Sequence, residues 1–248
     1  MDTYADARNE RQAIESVCEI LLSNGIEIDP DNIQKTDALI TMRTVREFGM
    51  EEALAQTFLG IVEVIDKGTI YIYENAHRGS AEFSSAGDFE IWLNEGAITN
   101  TNESSEKTIQ SLLSNLQLAG ISFDINYDEK RETVIAVSMY KNAEIFNCSM
   151  DFVFREGSLR TVAGRYLTGI EDADASTEIS QTETALLAFL AAVKRGDIEC
   201  TEIVSVESGY LHSVVGSFGE GVISPVWMIA TDQAKYAVDS STGEIRLL

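Results

Sequence analysis

The chain has 248 residues, 44% hydrophobic and 24% charged, which is enough apolar material for one large core or two to three small ones. Forty-one acidic residues against 18 basic ones give a formal charge of −23, a surface that repels phosphate backbones and anionic headgroups and argues against a nucleic-acid partner. No run of about 18 apolar residues and no charged-then-apolar leader occurs, so nothing reads as a membrane span or a signal peptide, and the sequence reads as soluble.

Residues 6–24 predict a helix. Ala13, Ile14, Val17, Cys18, Leu21 and Leu22 recur at three- and four-residue steps and make one apolar stripe. Asn24-Gly25 stops it, because glycine takes a left-handed cap without steric cost. "IEID" then predicts a short strand ended by Pro30, and "DALITMRTV" (37–45) a further one. The polar start "DTYADARNERQAI" fits both a natural beginning and what remains when a membrane anchor is cut away just ahead of it.

A repeating pattern follows. "MEEALAQTFLG" predicts a helix stopped by Gly60, and strands are expected at "IVEVID", "TIYIYE", "AEFSS" and "DFEIWL". Their turns fall at Lys67-Gly68, Arg78-Gly79 and Gly87-Asp88. A polar linker over 99–107 supplies a serine cap for the helix "KTIQSLLSNLQLAG", which Gly120 should stop. The next strands are "ISFDINY", "ETVIAVSMY", "AEIFNCSMDFVF" and "LRTVAGRYL", with turns at 128–131, 141–142 and 156–158. A second polar linker spans 169–180. It leads to the helix "QTETALLAFLAAVKRGD", stopped by Gly196, and to strands "CTEIVSVESGY", "LHSVVGS", "SPVWMIAT", "AKYAVDS" and "EIRLL".

The expected fold is therefore α+β, built of repeated helix-plus-antiparallel-meander units, with two to three small sheets each covered by a helix. Three domains are expected: an N-terminal helix plus first unit (1–102), a second unit (103–175) and a third (176–248), with seams near residues 103 and 175.

Candidate chemistry is sparse. His77 sits in an expected exposed turn and His212 at an expected strand start; a metal or catalytic histidine needs a partner at i+4, or a serine or cysteine brought near by the fold, and no H-x-x-x-H or H-E-x-x-H occurs. Asp172 and Asp174 give only fragments of a calcium loop and read as solvated linker. "GSFGEG" (216–221) lacks the lysine and following helix of a phosphate cradle and reads as a hairpin tip. "NES" (102–104) and "NCS" (147–149) match the glycosylation tripeptide, a pattern common by chance. Cys18, Cys148 and Cys200 lie far apart with no C-x-x-C pair, so neither zinc nor redox chemistry is indicated. Their odd number excludes a fully paired set and leaves a single disulfide open, while the apolar context of Cys18 and Cys200 points to buried thiols. Tyr71, Tyr73, Phe89, Trp92, Trp227 and Tyr236 are expected in sheet cores, with an aromatic groove for a peptide as the alternative. No catalytic, cofactor or metal residues are expected.

The closing stretch carries a family pattern. "IVSVESGYL" followed by "SPVWMIATDQAKYAVDSSTGEI" resembles the C-terminal module of the YycH/YycI type of bacterial regulatory proteins, on Gly209, Tyr210, Pro225, Trp227, Tyr236, Gly243, Glu244 and Ile245. "AIESVCEILLSNGIEIDPDNI" (12–33) is similar to the segment that follows the membrane anchor in related clostridial-type proteins. The resemblance implies a non-enzymatic extracytoplasmic regulatory domain, held by an N-terminal anchor outside this chain. Its implied partner is a membrane sensor histidine kinase of a cell-wall two-component system, met by protein contact without a cofactor. The last hairpin also looks like a PepSY domain, which implies the alternative of modulating or inhibiting an extracytoplasmic protease. The family pattern departs here in the serine-rich ending "AVDSSTGEI".

Overall fold

A computed structural model describes residues 3–34, 38–100, 104–114, 116, 121–173, 177–215 and 220–248, with only the backbone described for residues 3–10. Its helices are α1 (Thr3–Ser23), α2 (Phe48–Leu59), α3 (Ser105–Leu113) and α4 (Thr182–Arg195). The strands are β1 (Glu27–Ile28), β2 (Met42–Val45), β3 (Glu63–Asp66), β4 (Ile70–Asn75), β5 (Gly79–Ser84), β6 (Asp88–Leu93), β7 (Ile121–Asp128) and β8 (Thr133–Tyr140). They continue with β9 (Ala143–Arg155), β10 (Ser158–Arg165), β11 (Gly169–Asp172), β12 (Glu202–Val214), β13 (Gly221–Thr231), β14 (Lys235–Asp239) and β15 (Ile245–Leu247).

Repeated helix-covered meanders are not what forms. The fold is a large mixed sheet of 15 strands, 48% strand against 23% helix, with four helices among the described residues. Hydrogen bonding orders the strands β11-β2-β13-β12-β9-β10-β6-β5-β4-β3, with β1, β7, β8, β14 and β15 off that path. The mixed character comes from β1, which runs parallel to β12. Two compact units can be told apart. Unit I comprises Met1–Thr41, Asp174–Leu211 and Ser224–Leu248; unit II comprises Met42–Ala173 and His212–Ile223. The seams expected near residues 103 and 175 lie outside the described residues.

In unit II, the two expected meanders join into one. β6 pairs antiparallel with β10, from Thr161 opposite Trp92 to Arg165 opposite Asp88. A meander that stopped at β6 would leave a full row of backbone groups without a ladder, and β10 supplies the matching row. The pairing also brings Phe89 and Ile91 into one core with Val162, Phe152 and Met150. Leu54, Phe58 and Leu59 of α2 and Ile109 and Leu113 of α3 enter that same core, so two helices share it. Some local signals take the expected form. Ser104 accepts the Lys107 amide as the cap of α3, and Lys141-Asn142 and Glu156-Gly157 turn their hairpins with positive φ at both positions. The expected stop at Gly120 lies outside the described residues.

In unit I, both ends of the chain build one core. Val17 and Leu21 of α1 and Ile26 pack with Ala185, Leu186, Phe189 and Leu190 of α4 and with Trp227, Ile229 and Val238. The N-terminal helix thus joins the expected third module in place of the first. The closing hairpin forms in register, with Trp227 opposite Val238 and Ile229 opposite Tyr236. Thr231 and Ala234 close its turn at 2.8 Å.

Two local expectations change. "CTEIVSVESGY" and "LHSVVGS" are one strand, β12, with Gly209 buried inside it and no turn. β13 starts at Gly221, earlier than the expected "SPVWMIAT", so Pro225 is its fifth residue and not the second. β13 pairs with β2 through Ile223 and with β14 from Val226, so Pro225 falls between those two ladders and its missing N–H removes a bond from neither.

Candidate functional site

In unit I, α1, β1 and a 3-10 turn at Pro30–Asn32 enclose a groove of about 580 Å³. Its floor and walls follow from helix periodicity. Glu15 and Glu19 are four residues apart on α1, as are Cys18 and Leu22, so each pair stacks on one face. Glu27, Ile28 and Asp29 come from β1 and the residue after it, and Glu202 from the start of β12. The parallel register sets Glu27 directly beside Glu202. Asp29 also caps the 3-10 turn, accepting the Asp31 amide at 3.0 Å.

The groove is therefore strongly negative, with apolar residues among its lining. Glu15, Glu19, Glu27, Asp29 and Glu202 line it, with no lysine or arginine among its described lining. Glu15 is paired with Arg11 at 3.1 Å, a solvent-exposed i,i+4 pair of small energetic weight. Leu22 is exposed at the rim, and Ile28 and Pro30 complete the apolar part. Burial pushes the Cys18 thiol up, and the charges of Asp29 and Glu15 push it the same way. A thiol held protonated is a poor nucleophile. What the groove can do is attract cations and cover the aliphatic stems of lysine or arginine.

Unit II holds a second polar cluster, this one buried. A pocket of about 20 Å³ is lined in part by Thr44, Arg46, Glu51, Tyr166 and His212. Arg46 and Glu51 pair inside the protein, and the Arg46 guanidinium lies 4.7 Å from the Phe48 ring centre and 5.3 Å from that of Tyr71. Burial raises the Glu51 carboxyl, with Arg46 opposing the shift. His212 Nε2 meets Thr44 Oγ1 at 3.2 Å, while His212 Nδ1 and the Tyr166 hydroxyl are buried without a protein hydrogen-bond partner. Burial brings the His212 imidazole down to about 4, so it is neutral at neutral pH. His212 lies third from the end of β12, where the sequence predicts a strand start.

The remaining sequence candidates take structural places. His77 is in an exposed turn, its amide donating to Asn75 Oδ1. Asp172 ends β11 at the surface, while Asp174, Asn102 and residues 216–219 lie outside the described residues. Asn147, first residue of the second tripeptide, clamps the backbone of His212, donating to its carbonyl at 2.8 Å and accepting its amide at 2.9 Å. Cys18, Cys148 and Cys200 are free thiols; Cys148 is fully buried and pushed up to about 12 by that burial, and Cys200 is half-buried. Tyr73 and Phe89 are core, but Trp92 is 39% exposed. The alternation of β6 puts Trp92 on the same face as Asp88 and Glu90.

The eight signature residues of the family pattern do not form a site. Trp227 is fully buried and donates from Nε1 to the Ser180 carbonyl at 2.9 Å. Tyr236 meets Phe189 edge-on at 5.6 Å between ring centres, and Ile245 packs against the same cluster. Gly243 takes a positive φ in the last bend, and Glu244 pairs with Arg246. Gly209, Tyr210 and Pro225 are buried within β12 and β13. The acidic groove was missed by sequence reasoning. The Glu15–Glu19 spacing was its one local signal, since Glu202 joins only through a parallel pairing.

No family model matches the chain, and no curated protein matches it. Among solved structures it is similar to the crystal structure, at 1.45 Å, of an uncharacterized protein from Eubacterium rectale ATCC 33656. The two are 11% identical with a TM-score of 0.49, over 86% of this chain and 81% of that one. A likeness at that level carries no argument about this chain. None of these comparisons supports the resemblance to YycH/YycI-type regulators or to a PepSY domain. Among the described residues, no helix is long and apolar enough to cross a membrane.

Proposed function

We infer that the chain is a non-enzymatic interaction domain, and that its α1–β1 groove holds a basic, partly apolar segment of a partner protein. The observation that carries this reading is the meeting of five carboxylates with Leu22, Ile28 and Pro30 in one concavity, without a lysine or arginine in its described lining. The formal charge of −23 adds long-range attraction for a basic partner and speeds its encounter. The family resemblance gives the reading its specific form: an extracytoplasmic domain that modulates a membrane sensor histidine kinase of a cell-wall two-component system.

The groove is tested with a fluorescent peptide of alternating lysine and leucine, titrated into the wild type and into a Glu19→Lys, Glu27→Lys variant. Both positions are exposed, so a thermal melt should show the variant folded. The expected result is at least tenfold weaker binding by the variant, and wild-type binding that weakens steeply with salt. Equal binding by the two proteins overturns the groove. For the kinase, membranes are solubilised and captured on the immobilised domain. Recovery of no sensor kinase, together with unchanged cell-wall gene expression on deletion, overturns that form of the reading.

A further inference from the structure

The sheet of unit II ends at β3, which pairs with β4 and, among the described residues, with no other strand. An unpaired edge offers a row of backbone donors and acceptors to any extended chain that fits. All four residues of β3 are exposed. Val64 and Ile65 are exposed apolar side chains at its centre, Ile61 just before it is 90% exposed, and Ile70 across the turn is exposed too. The Asn75 side chain donates to the Ile61 carbonyl at 2.8 Å and fixes that stretch. The other edge strand of this ladder, β7, differs: its most exposed positions include Ser122, Asp124 and Asn126, while Phe123 and Ile125 pack against the core.

We propose that the free edge of β3 docks an extended partner segment of the pattern basic–apolar–apolar–basic, added antiparallel as a further strand. Glu63 and Asp66 flank Val64 and Ile65, so such a segment sets a cation opposite each acid and an apolar residue opposite each apolar one. Glu63 already stands directly opposite Glu74 in the β3–β4 ladder, a like-charge pair that an incoming cation relieves. Both carboxylates line a concavity of about 550 Å³ beside the hairpin, with room for a lysine or arginine side chain. The nearest cation in sequence, Lys67, belongs to the hairpin turn.

A second copy of this chain does not fit. Full antiparallel pairing of β3 with itself sets Glu63 against Asp66 at both ends, and parallel pairing sets each acid against its twin. Each copy also brings a formal charge of −23. The acids at the ends of this short strand therefore reject self-association and select a basic partner from the same positions.

The test uses the whole chain and the acetylated, amidated peptide Thr-Lys-Val-Ile-Lys-Thr, fluorescently labelled. Expected are saturable binding, at least tenfold weaker binding when both lysines are replaced by glutamate, and at least tenfold weaker binding to Glu63→Lys. Backbone amides of β3 should gain hydrogen-exchange protection when the peptide is bound. An unchanged thermal melt for Glu63→Lys separates a lost site from a lost fold. No binding at millimolar peptide, equal binding of the glutamate peptide, or binding without protection in β3 each overturns the proposal, as does dimerisation through β3 in sedimentation. Because β3 lies in unit II and the α1–β1 groove in unit I, Glu63→Lys and the Glu19→Lys, Glu27→Lys variant distinguish failure of one site from failure of the other.

Discussion

Arg46 and Glu51 hold each other through two hydrogen bonds, at 2.5 and 2.9 Å, with 7% and 3% of their side chains exposed. A pair so placed has lost the solvation of both charges, and each depends on the other to offset that loss. Removing one partner by Glu51→Leu or Arg46→Met should cost about 3–5 kcal/mol, because a lone charge stays behind. Replacing both should cost clearly less than the sum of the two. Urea unfolding of the two single variants and the double variant measures this, and additive losses would show that the pair does not act as a unit.

Trp227 anchors unit I. It is fully buried, and its indole N–H reaches the Ser180 carbonyl. Trp227→Ala should destabilise by about 3–5 kcal/mol through the cavity it leaves. Trp227→Phe keeps much of the apolar contact but strands the Ser180 carbonyl, for a further penalty of about 1–3 kcal/mol relative to full retention of that bond. An unchanged thermal melt for Trp227→Ala would place the ring at the surface.

His212 makes stability depend on pH in a window set by its lowered value of about 4 against 6.5 when unburied. Between those values the unfolded chain binds a proton that the folded chain does not. The contribution is thus fully present above about 6.5 and falls as pH drops toward 4. The loss over the whole window is of order 3 kcal/mol. His212→Gln removes this titration, so the stability gap between wild type and variant should shift across the window. A gap independent of pH from 7 to about 4 would contradict a buried neutral imidazole.

Gly79 opens β5 with φ +137°, and a Cβ there would run into the Trp92 carbonyl of the neighbouring strand. That carbonyl belongs to the β5–β6 ladder, where Gly79 stands opposite Leu93, so it cannot yield without disturbing the pairing. Gly79→Ala should therefore destabilise by more than about 1 kcal/mol. Denaturant midpoints compared with Gly96→Ala, a glycine with open space around it, separate the clash from the backbone effect.

Local structure was legible in the chain because its causes are local. Gly25, Gly60 and Gly196 end their helices with positive φ, and the closing hairpin pairs as its alternation required. What could not be read was partnership at long range. Nothing in "DFEIWL" names "SLRTVAGR" as its neighbour, since many strands of this chain offer the same alternation. Those pairings decide the architecture, and misreading them split one sheet into repeats. The candidate groove shows the same boundary: two of its acids are visible as a helix face, but Glu202 arrives there only through the parallel pairing with Glu27.

The core that joins α1 to α4 imposes an order on synthesis. Val17 and Leu21 are made well before Phe189, Trp227 and Val238, which pack with them in one core. At the usual ~5–20 residues per second, the apolar stripe of α1 waits on the order of ten seconds or more on the ribosome without its partners. Unit II, drawn mostly from one continuous stretch, can complete most of its core during that wait. α1 therefore stays uncovered until α4 and the closing hairpin have both been made.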